Sequence, residues 1–359
     1  MSGFAAPQSI RANRISVDGT TLRFSDMDES DLMTDPASAR SFTALNGTLG
    51  ALRGVNGYFA LGAPTILAGE IYSSESSGMR PAMTAEYADE DVFVLTDGSG
   101  ANRFPPRAGT DALSNPAPLT EPEVRTLIEE AFGIMTRARA QIRRPLESRA
   151  QVSISVVDTH GQILGIVRSP DAPIFGTDVS LQKARTATFF SGSDAASDLV
   201  GANRSPNFGA VPNTNVRSRV QGVRDFLADP AALTGTHAFA DRSGGNLSRP
   251  YFPDGEVGTQ NGPLSVPIDT FSPFSVGLQL ELIADNVLEH VGFVVNNSPP
   301  SADTPRGCTY IPNVPGGAPG QNRLNNGLQI FPGSVPIYRG DELVGGIGVS
   351  GDGIDQDDM

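Results

Sequence analysis

The sequence predicts an α+β fold, an antiparallel sheet flanked by helices. Three observations lead there. A strand, turn, strand and helix follow one another from Gln151 to Ser191, a matching strand pair closes the chain, and one long amphipathic helix precedes both.

At the N-terminal end, Ile15 and Val17 lead into Asp18-Gly19 and out through Leu22 and Phe24, a hairpin signature. Asp26 to Asp35 is an acidic loop. Phe42 to Leu67 scatters apolar residues among glycines without a helical period, and Glu90 to Thr96 reads as a strand ahead of Asp97-Gly98. Residues 1–110 are therefore expected to form a β-rich lobe, with Arg103 to Arg107 and Asn115 to Pro118 as linker.

Leu119 to Arg144 is expected to be helical. Thr120 and Glu123 have capping-box spacing, and Pro122 falls in the first turn, where its missing N–H costs little. Val124, Leu127, Ile128, Ala131, Met135, Ala138 and Ile142 form one apolar stripe, and Pro145 ends the run. Next comes a hairpin. Val152, Ile154 and Val156 alternate with Ser153, Ser155 and Val157, Asp158 to Gly161 is a four-residue turn, and Ile163, Leu164, Ile166 and Val167 form the return strand. Beyond Pro170 and Pro173, Thr177 or Asp178 is placed to cap a helix in which Leu181, Ala184, Thr188 and Phe189 share a face.

From about Gly192 to Asn326 the pattern is interrupted by a long insertion. It holds a short helix at Val220 to Ala228, a Gly/Pro/Asn-rich tract from Thr234 to Pro273, and an apolar stretch, Gly277 to Val295, that suits helix or strand. An insertion of this length is expected to make a small subdomain or lid over the sheet. Leu328, Ile330, Val335 and Ile337 then pass through the Arg339-Gly340-Asp341 turn into Leu343, Val344, Ile347 and Val349. The chain stops at Gly351 to Met359, and with an opening directly on a hairpin this reads as a piece of a longer, tandem protein.

Composition narrows the function classes. Forty glycines and 28 prolines imply much turn and loop, and 359 residues suffice for a sizeable core. A net charge of −14 argues against nucleic acid and anionic membrane as main partners, because both are repelled over the whole surface. Cys308 is the only cysteine, so neither an intramolecular disulfide nor a thiolate cluster can form. No apolar run reaches membrane-span length, and Met1 to Ala12 lacks the charged start and apolar core of an export signal. A periplasmic or secreted place stays open if the chain belongs to a longer precursor. Lys183 is the only lysine in an arginine-dominated chain, either through a GC-rich, acid-tolerant composition or because its position needs an ammonium.

Three segments carry a family resemblance: VSISVVDTHGQILGIVR, then DVSLQKARTATFF, then GSVPIYRGDELVGGIGVSG. In this order they resemble the GlcG/HbpS-like haem-binding domain family of bacteria. The resemblance implies a profilin-like domain over 119–359, broken at about 192–326, with the Lys183 helix beside a ligand cleft. It implies haem as cofactor, and the residues expected to hold it are Lys183, Arg185, Thr186 and Phe189 from the helix and Gly346 and Gly348 from the last strand, with His160 the first candidate for the metal ligand.

Haem needs an apolar slot, an axial ligand and cations for its propionates. Leu119 to Arg144 contains no histidine, where some relatives in the family have one, which leaves His160, His237 and His290, with Tyr251, Tyr338 or Cys308 behind them. Lys183, Arg185 and Thr186 fall within one helical turn and face different ways, so Lys183 or Arg185 meets an anion, or both are solvated or pair with acidic neighbours. Asp352, Asp355, Asp357 and Asp358 suggest a calcium loop without its spacing and suit an acidic helix start better. No nucleophile elbow, zinc-type histidine spacing, phosphate loop or acid/base pair is present, and Gly345 to Gly348 read as close-packing residues in a strand or as a place where backbone nears a ligand. The expected function is a non-catalytic haem or tetrapyrrole module. The alternative is a ligand-free assembly module. Expected partners are haem or a small-molecule ligand and further copies of the chain, with neither nucleic acid nor membrane.

Overall fold

The structure, a computed structural model, describes residues 14–17, 20–23 and 70–353, other than 89–90, 141, 144, 146, 254, 271–276, 297, 299–302 and 305–306. The chain forms two compact units, residues 1–65 and 66–359. In the first, β1 (Arg14–Val17) pairs antiparallel with β2 (Thr20–Arg23), Arg14 opposite Arg23 and Val17 opposite Thr20. The acidic loop and the apolar tract expected between Asp26 and Leu67 lie outside the described residues.

The second unit is built on a six-stranded antiparallel sheet in the order β3-β4-β6-β5-β8-β7. Its strands are β3 (Met79–Pro81), β4 (Phe93–Leu95), β5 (Val152–Val157), β6 (Ile163–Arg168), β7 (Ser334–Arg339) and β8 (Glu342–Gly351). The sheet thus takes in β3 and β4, which the sequence reading placed in an N-terminal lobe ending at 110. Phe93 pairs with Arg168 across β4 and β6, a contact between residues too distant in the chain for any local pattern to reveal.

Alternation along β5 sorts its side chains between two layers, since successive residues face opposite sides of a sheet. Val152, Ile154 and Val156 join a core with Val124, Ile128, Phe132 and Met135 of α1 (Glu121–Met135). On the other face, Ser155 Oγ lies 2.7 Å from Ser180 Oγ, and Val157 packs on Leu181 and Ala184, both in α2 (Gly176–Ser191). Each α1 core side chain removed from water stabilises by about 1.5–3 kcal/mol.

The α1 capping box is formed. Glu123 N donates to Thr120 Oγ1, and the Glu123 carboxylate accepts from Thr120 N and Thr120 Oγ1, both at 2.8 Å. The helix stops at Met135, nine residues short of the expected end at Arg144. There the chain turns into a bridge between Arg139 and Arg149, with Ala140 N donating to Ser148 O and Ala150 N to Ala138 O. Those partners replace the helical ones, so Ile142 keeps the helical period in sequence yet lies 72% exposed. The hydrogen bonds from Thr120, and then Arg339, hold the Glu123 carboxyl down at about 2, below its ordinary 4.5. A depressed carboxyl contributes stability above pH 4.5 and loses it as pH falls through 2. The melting-temperature gap between wild type and Glu123→Gln is therefore expected to be widest above pH 4.5 and to narrow steadily towards pH 2; a gap constant with pH would refute the charged cap.

Neither Thr177 nor Asp178 caps α2, whose flanking residue Phe175 makes no side-chain cap. The start of the helix is set by a close approach instead, since a Cβ on Gly176 would lie 2.6 Å from Ser350 O. α2 is buried nearly all round, a placement reserved for helices covered on both sides. Its outer side is covered by α3 (Ala195–Gly201), α4 (Thr214–Leu227), α5 (Asp241–Leu247) and α6 (Leu278–Val295). These share a core with Phe189, Phe190, Leu199, Val216, Val220 and Leu278. The Gly277 to Val295 stretch is thus a helix, and the insertion is a helical layer with its own apolar centre. Leu328, expected in a strand, is buried in that layer ahead of β7.

Candidate functional site

Arg185 organises the region where α2, the β5–β6 turn and the insertion meet. The turn is tied by Asp158, whose Oδ1 accepts from His160 N at 3.0 Å and Gln162 N at 2.9 Å and whose Oδ2 accepts from Thr110 N and Oγ1. Burial pushes the Asp158 carboxyl up, opposed by those hydrogen bonds. Gly161 closes the turn at φ +73°, and a Cβ there would meet Arg323 O at 2.8 Å. Its carbonyl accepts from Arg185 Nε at 2.8 Å, while Arg185 NH1 donates to Asn326 Oδ1 at 2.7 Å.

Arg185 is only 7% exposed, and no carboxylate among the described residues lies within ion-pair distance of it. Asp178 and Asp158 act on it only from farther off, and burial pulls its pKa down to about 10, which leaves it charged at neutral pH. A buried charge without an ionic partner is costly, and Arg185 offsets part of that cost with its hydrogen bonds to Gly161 O and Asn326 Oδ1. Arg185 lines a cavity of 590 Å³ together with Arg204, Tyr310 and a wall of asparagines and glutamines. Arg204 is neutralised by Asp285, with Nε and NH2 both on its carboxylate.

The other predicted site residues lie elsewhere. Lys183 is 2% exposed and its Nζ donates to Val349 O at 2.8 Å, so the lone lysine reaches back to β8. Thr186 Oγ1 donates to Gln182 O and accepts from Gln329 N. Gly346 and Gly348 face α2 rather than a ligand: a Cβ on Gly346 would lie 2.2 Å from Thr188 Oγ1, and one on Gly348 2.0 Å from Ser180 O. Phe189 packs edge-on against Phe190 at 5.2 Å and borders a separate pocket of 220 Å³.

No histidine among the described residues lines the larger cavity. His160 Nε2 lies 2.7 Å from Ser114 Oγ, with the residue 5% exposed, so the nitrogen assigned to the metal already has a protein partner. His237 lies 3.7 Å from Asp229, and His290 Nδ1 lies 2.8 Å from Asp303. Tyr338 borders the smaller pocket, and burial pushes the Cys308 thiol up. Among the described residues, no group of three or more His, Cys, Asp and Glu side chains is placed to hold a metal. Tyr310 was missed in the sequence, as were the cavity asparagines. The run Gln321-Asn322-Arg323-Leu324-Asn325-Asn326 was the available signal, since it holds four amides within six residues.

An antiparallel sheet between helical layers, with a cavity bordered by Arg185 at the end of its central hairpin, defines an α+β domain. Residues 128–227 and 301–359 match the family described as haem degrading protein, HbpS-like. These two segments are similar to that family, and the three sequence blocks that carried the resemblance all fall within them. The match leaves 228–300 between its two parts, where the sequence reading put the break at about 192–326. Among solved structures, the Klebsiella pneumoniae protein ORFY, of the DUF336 family, is similar at 17% identity over 58% of this chain and 68% of that one, with a TM-score of 0.22. No curated protein matches. Among the described residues no helix is long and apolar enough to cross a membrane.

Proposed function

We propose that the domain is a non-catalytic module that holds haem or a related tetrapyrrole in the 590 Å³ cavity. The observation that carries this is Arg185, a buried guanidinium without a carboxylate partner, on the wall of a cavity within the roughly 300–1,000 Å³ range of ligand sites. The residues present suit the group. Pro206, Ala210, Ile311 and Pro319 offer apolar surface to a macrocycle and Arg185 a cation to a propionate, while Tyr310, whose hydroxyl pairs with Ser205 and Glu289, would have to leave them to serve as an oxygen donor in place of the absent histidine. Bound haem would supply redox and oxygen chemistry at its iron. The protein's part is to bind and orient: Arg185 is held by Gly161 O and Asn326 Oδ1, so its remaining N–H groups are directed without further ordering. Lys183, Gly346 and Gly348 support this site by seating α2 on the sheet.

Titration of the purified chain with haem, followed in the Soret region, is expected to saturate at one equivalent. Arg185→Met is expected to weaken binding by about tenfold or more, the loss of one charge-assisted contact. A featureless, non-saturating titration refutes the haem module.

A second reading has its own observation. Val287, Leu288, Val291 and Val295 leave an apolar stripe on α6 that is 43–76% exposed, which suits a ligand-free module serving assembly with further copies. A flat haem titration moves the balance to it.

A further inference from the structure

An acidic residue and Arg185 share one face of α2, yet an amide stands between them. Asp178 and Arg185 are seven residues apart, two turns or roughly 10 Å along the helix axis. A long side chain in a helix leans towards the N-terminus, which for Arg185 is towards Asp178. The two are joined through Asn326, which arrives from the segment that leads the insertion back to the sheet. Its Oδ1 accepts from Arg185 NH1 at 2.7 Å, and its Nδ2 donates to Asp178 Oδ1 at 3.1 Å and to Asp178 O at 3.2 Å. The Asn326 carbonyl accepts from Gln182 Nε2 at 2.6 Å, so α2 also fixes this residue by its backbone.

A guanidinium only donates and a carboxylate only accepts, so a bridge between them must accept at one end and donate at the other. That requirement sets which way round the Asn326 amide lies. An aspartate at 326 would face the Asp178 carboxylate with a like charge, and an apolar side chain would leave Arg185 NH1 without its acceptor. The amide satisfies both groups and cancels the charge of neither. Among charged groups Asp178 acts on Arg185 most strongly, but across the amide and not through an ion pair. The guanidinium thus reaches the cavity wall still able to pair with an incoming anion.

We infer that Asn326 is a positioning residue that makes the cavity selective for ligands bearing a carboxylate, by holding Arg185 in place while keeping Asp178 from neutralising it. This rests on the reading that the cavity is the domain's ligand site, and it adds which residue sets that site's preference for charge.

The test moves a carboxylate without changing the net charge. In the double variant Asp178→Asn with Asn326→Asp, acid and amide exchange places. The hydrogen bond between the two positions is retained with donor and acceptor reversed, and a carboxylate oxygen replaces Oδ1 beside Arg185. Haem and haem dimethyl ester, whose propionates are neutral, are titrated in parallel into the full chain. Wild type is expected to bind haem about tenfold or more tightly than the ester, the effect of one charge-assisted contact. The exchange is expected to remove that advantage and leave ester affinity as it was, with the melting temperature held or raised by the new ion pair. Asn326→Asp alone is the second variant, with the same selective loss expected. Asp178→Asn alone retains an acceptor for Asn326 Nδ2 and is expected to leave haem binding unchanged or tighter.

Parallel losses for haem and ester would make Asn326 a structural tie and overturn the inference. Equal wild-type affinity for the two, haem affinity unchanged by the exchange, or a loss in Asp178→Asn as large as in the exchange would overturn it as well. Sodium propionate against sodium chloride at equal ionic strength, read by thermal shift, separates this result from the haem reading. A flat haem titration, with propionate stabilising wild type but not the double variant, overturns the tetrapyrrole reading and supports the inference. A flat titration with no response to propionate overturns both.

Discussion

Gly348→Ala is expected to destabilise the domain by about 3 kcal/mol or more, at the upper end of what overpacking a core costs. The new Cβ would lie 2.0 Å from Ser180 O and 2.5 Å from Ala184 N. Both are backbone atoms of α2, so no side-chain rotation relieves the clash, and helix and strand must separate. Since β8 pairs with β5 on one side and β7 on the other, separation disturbs the middle of the sheet. The loss is a large share of the 5–15 kcal/mol that holds a domain together. Gly133→Ala is the matched control: it lies within α1, its Cβ meets nothing within 4 Å, and it is expected to add about 0.5–1 kcal/mol. Urea melts of the two variants should shift in opposite directions. A Gly348→Ala midpoint equal to that of wild type would mean that α2 does not sit on β8 as described.

Asp352→Ala comes next, with an expected loss of about 3 kcal/mol. The Asp352 side chain is 1% exposed; it pairs with Arg143 through Nε and NH2 and accepts from Gln151 N at 2.8 Å. Removing it leaves a buried N–H and a guanidinium each short of a partner. The lower end of the range for breaking a buried pair applies because Arg143 is itself 23% exposed and keeps its pairing with Asp171. Asp352→Asn, which retains an acceptor for Gln151 N, should recover part of the loss in the same urea melts. Equal losses for the two would assign the stability to the ion pair alone. Asp352 is thus a clasp between the end of β8 and the start of β5; Asp355, Asp357 and Asp358 lie outside the described residues.

The two variants bear on function as well. The seat of α2 on the sheet fixes where Arg185 emerges, and the β5–β6 turn that Asp158 ties meets it through Gly161 O. Loosening α2 is therefore expected to blunt ligand binding along with stability, whereas Asp352 acts at the opposite end of β5 from that turn.

Local pattern alone determined the elements whose own residues carry the signal. The Thr120–Glu123 capping box began α1, the alternation of Val152, Ile154 and Val156 with Ser153 and Ser155 made β5, and Leu343 to Val349 made the last strand. In each, the physical cause lies within a few residues along the chain: a side chain reaching a backbone N–H, or a period of two set by the pleat. The family blocks were legible for the same reason, being continuous. The tertiary structure decided the rest. It ended α1 at Met135 by offering Ala138 and Ala140 partners near Arg149, and it drew β3 and β4 into the sheet. It turned Gly346 and Gly348 from ligand contacts into the floor beneath α2. It also separated Lys183 from Arg185, two residues apart in sequence, one reaching the backbone of β8 and the other the wall of a cavity. Which face of a buried helix meets the sheet and which meets a ligand depends on what packs against it from distant parts of the chain, and a helical period says only that the faces differ.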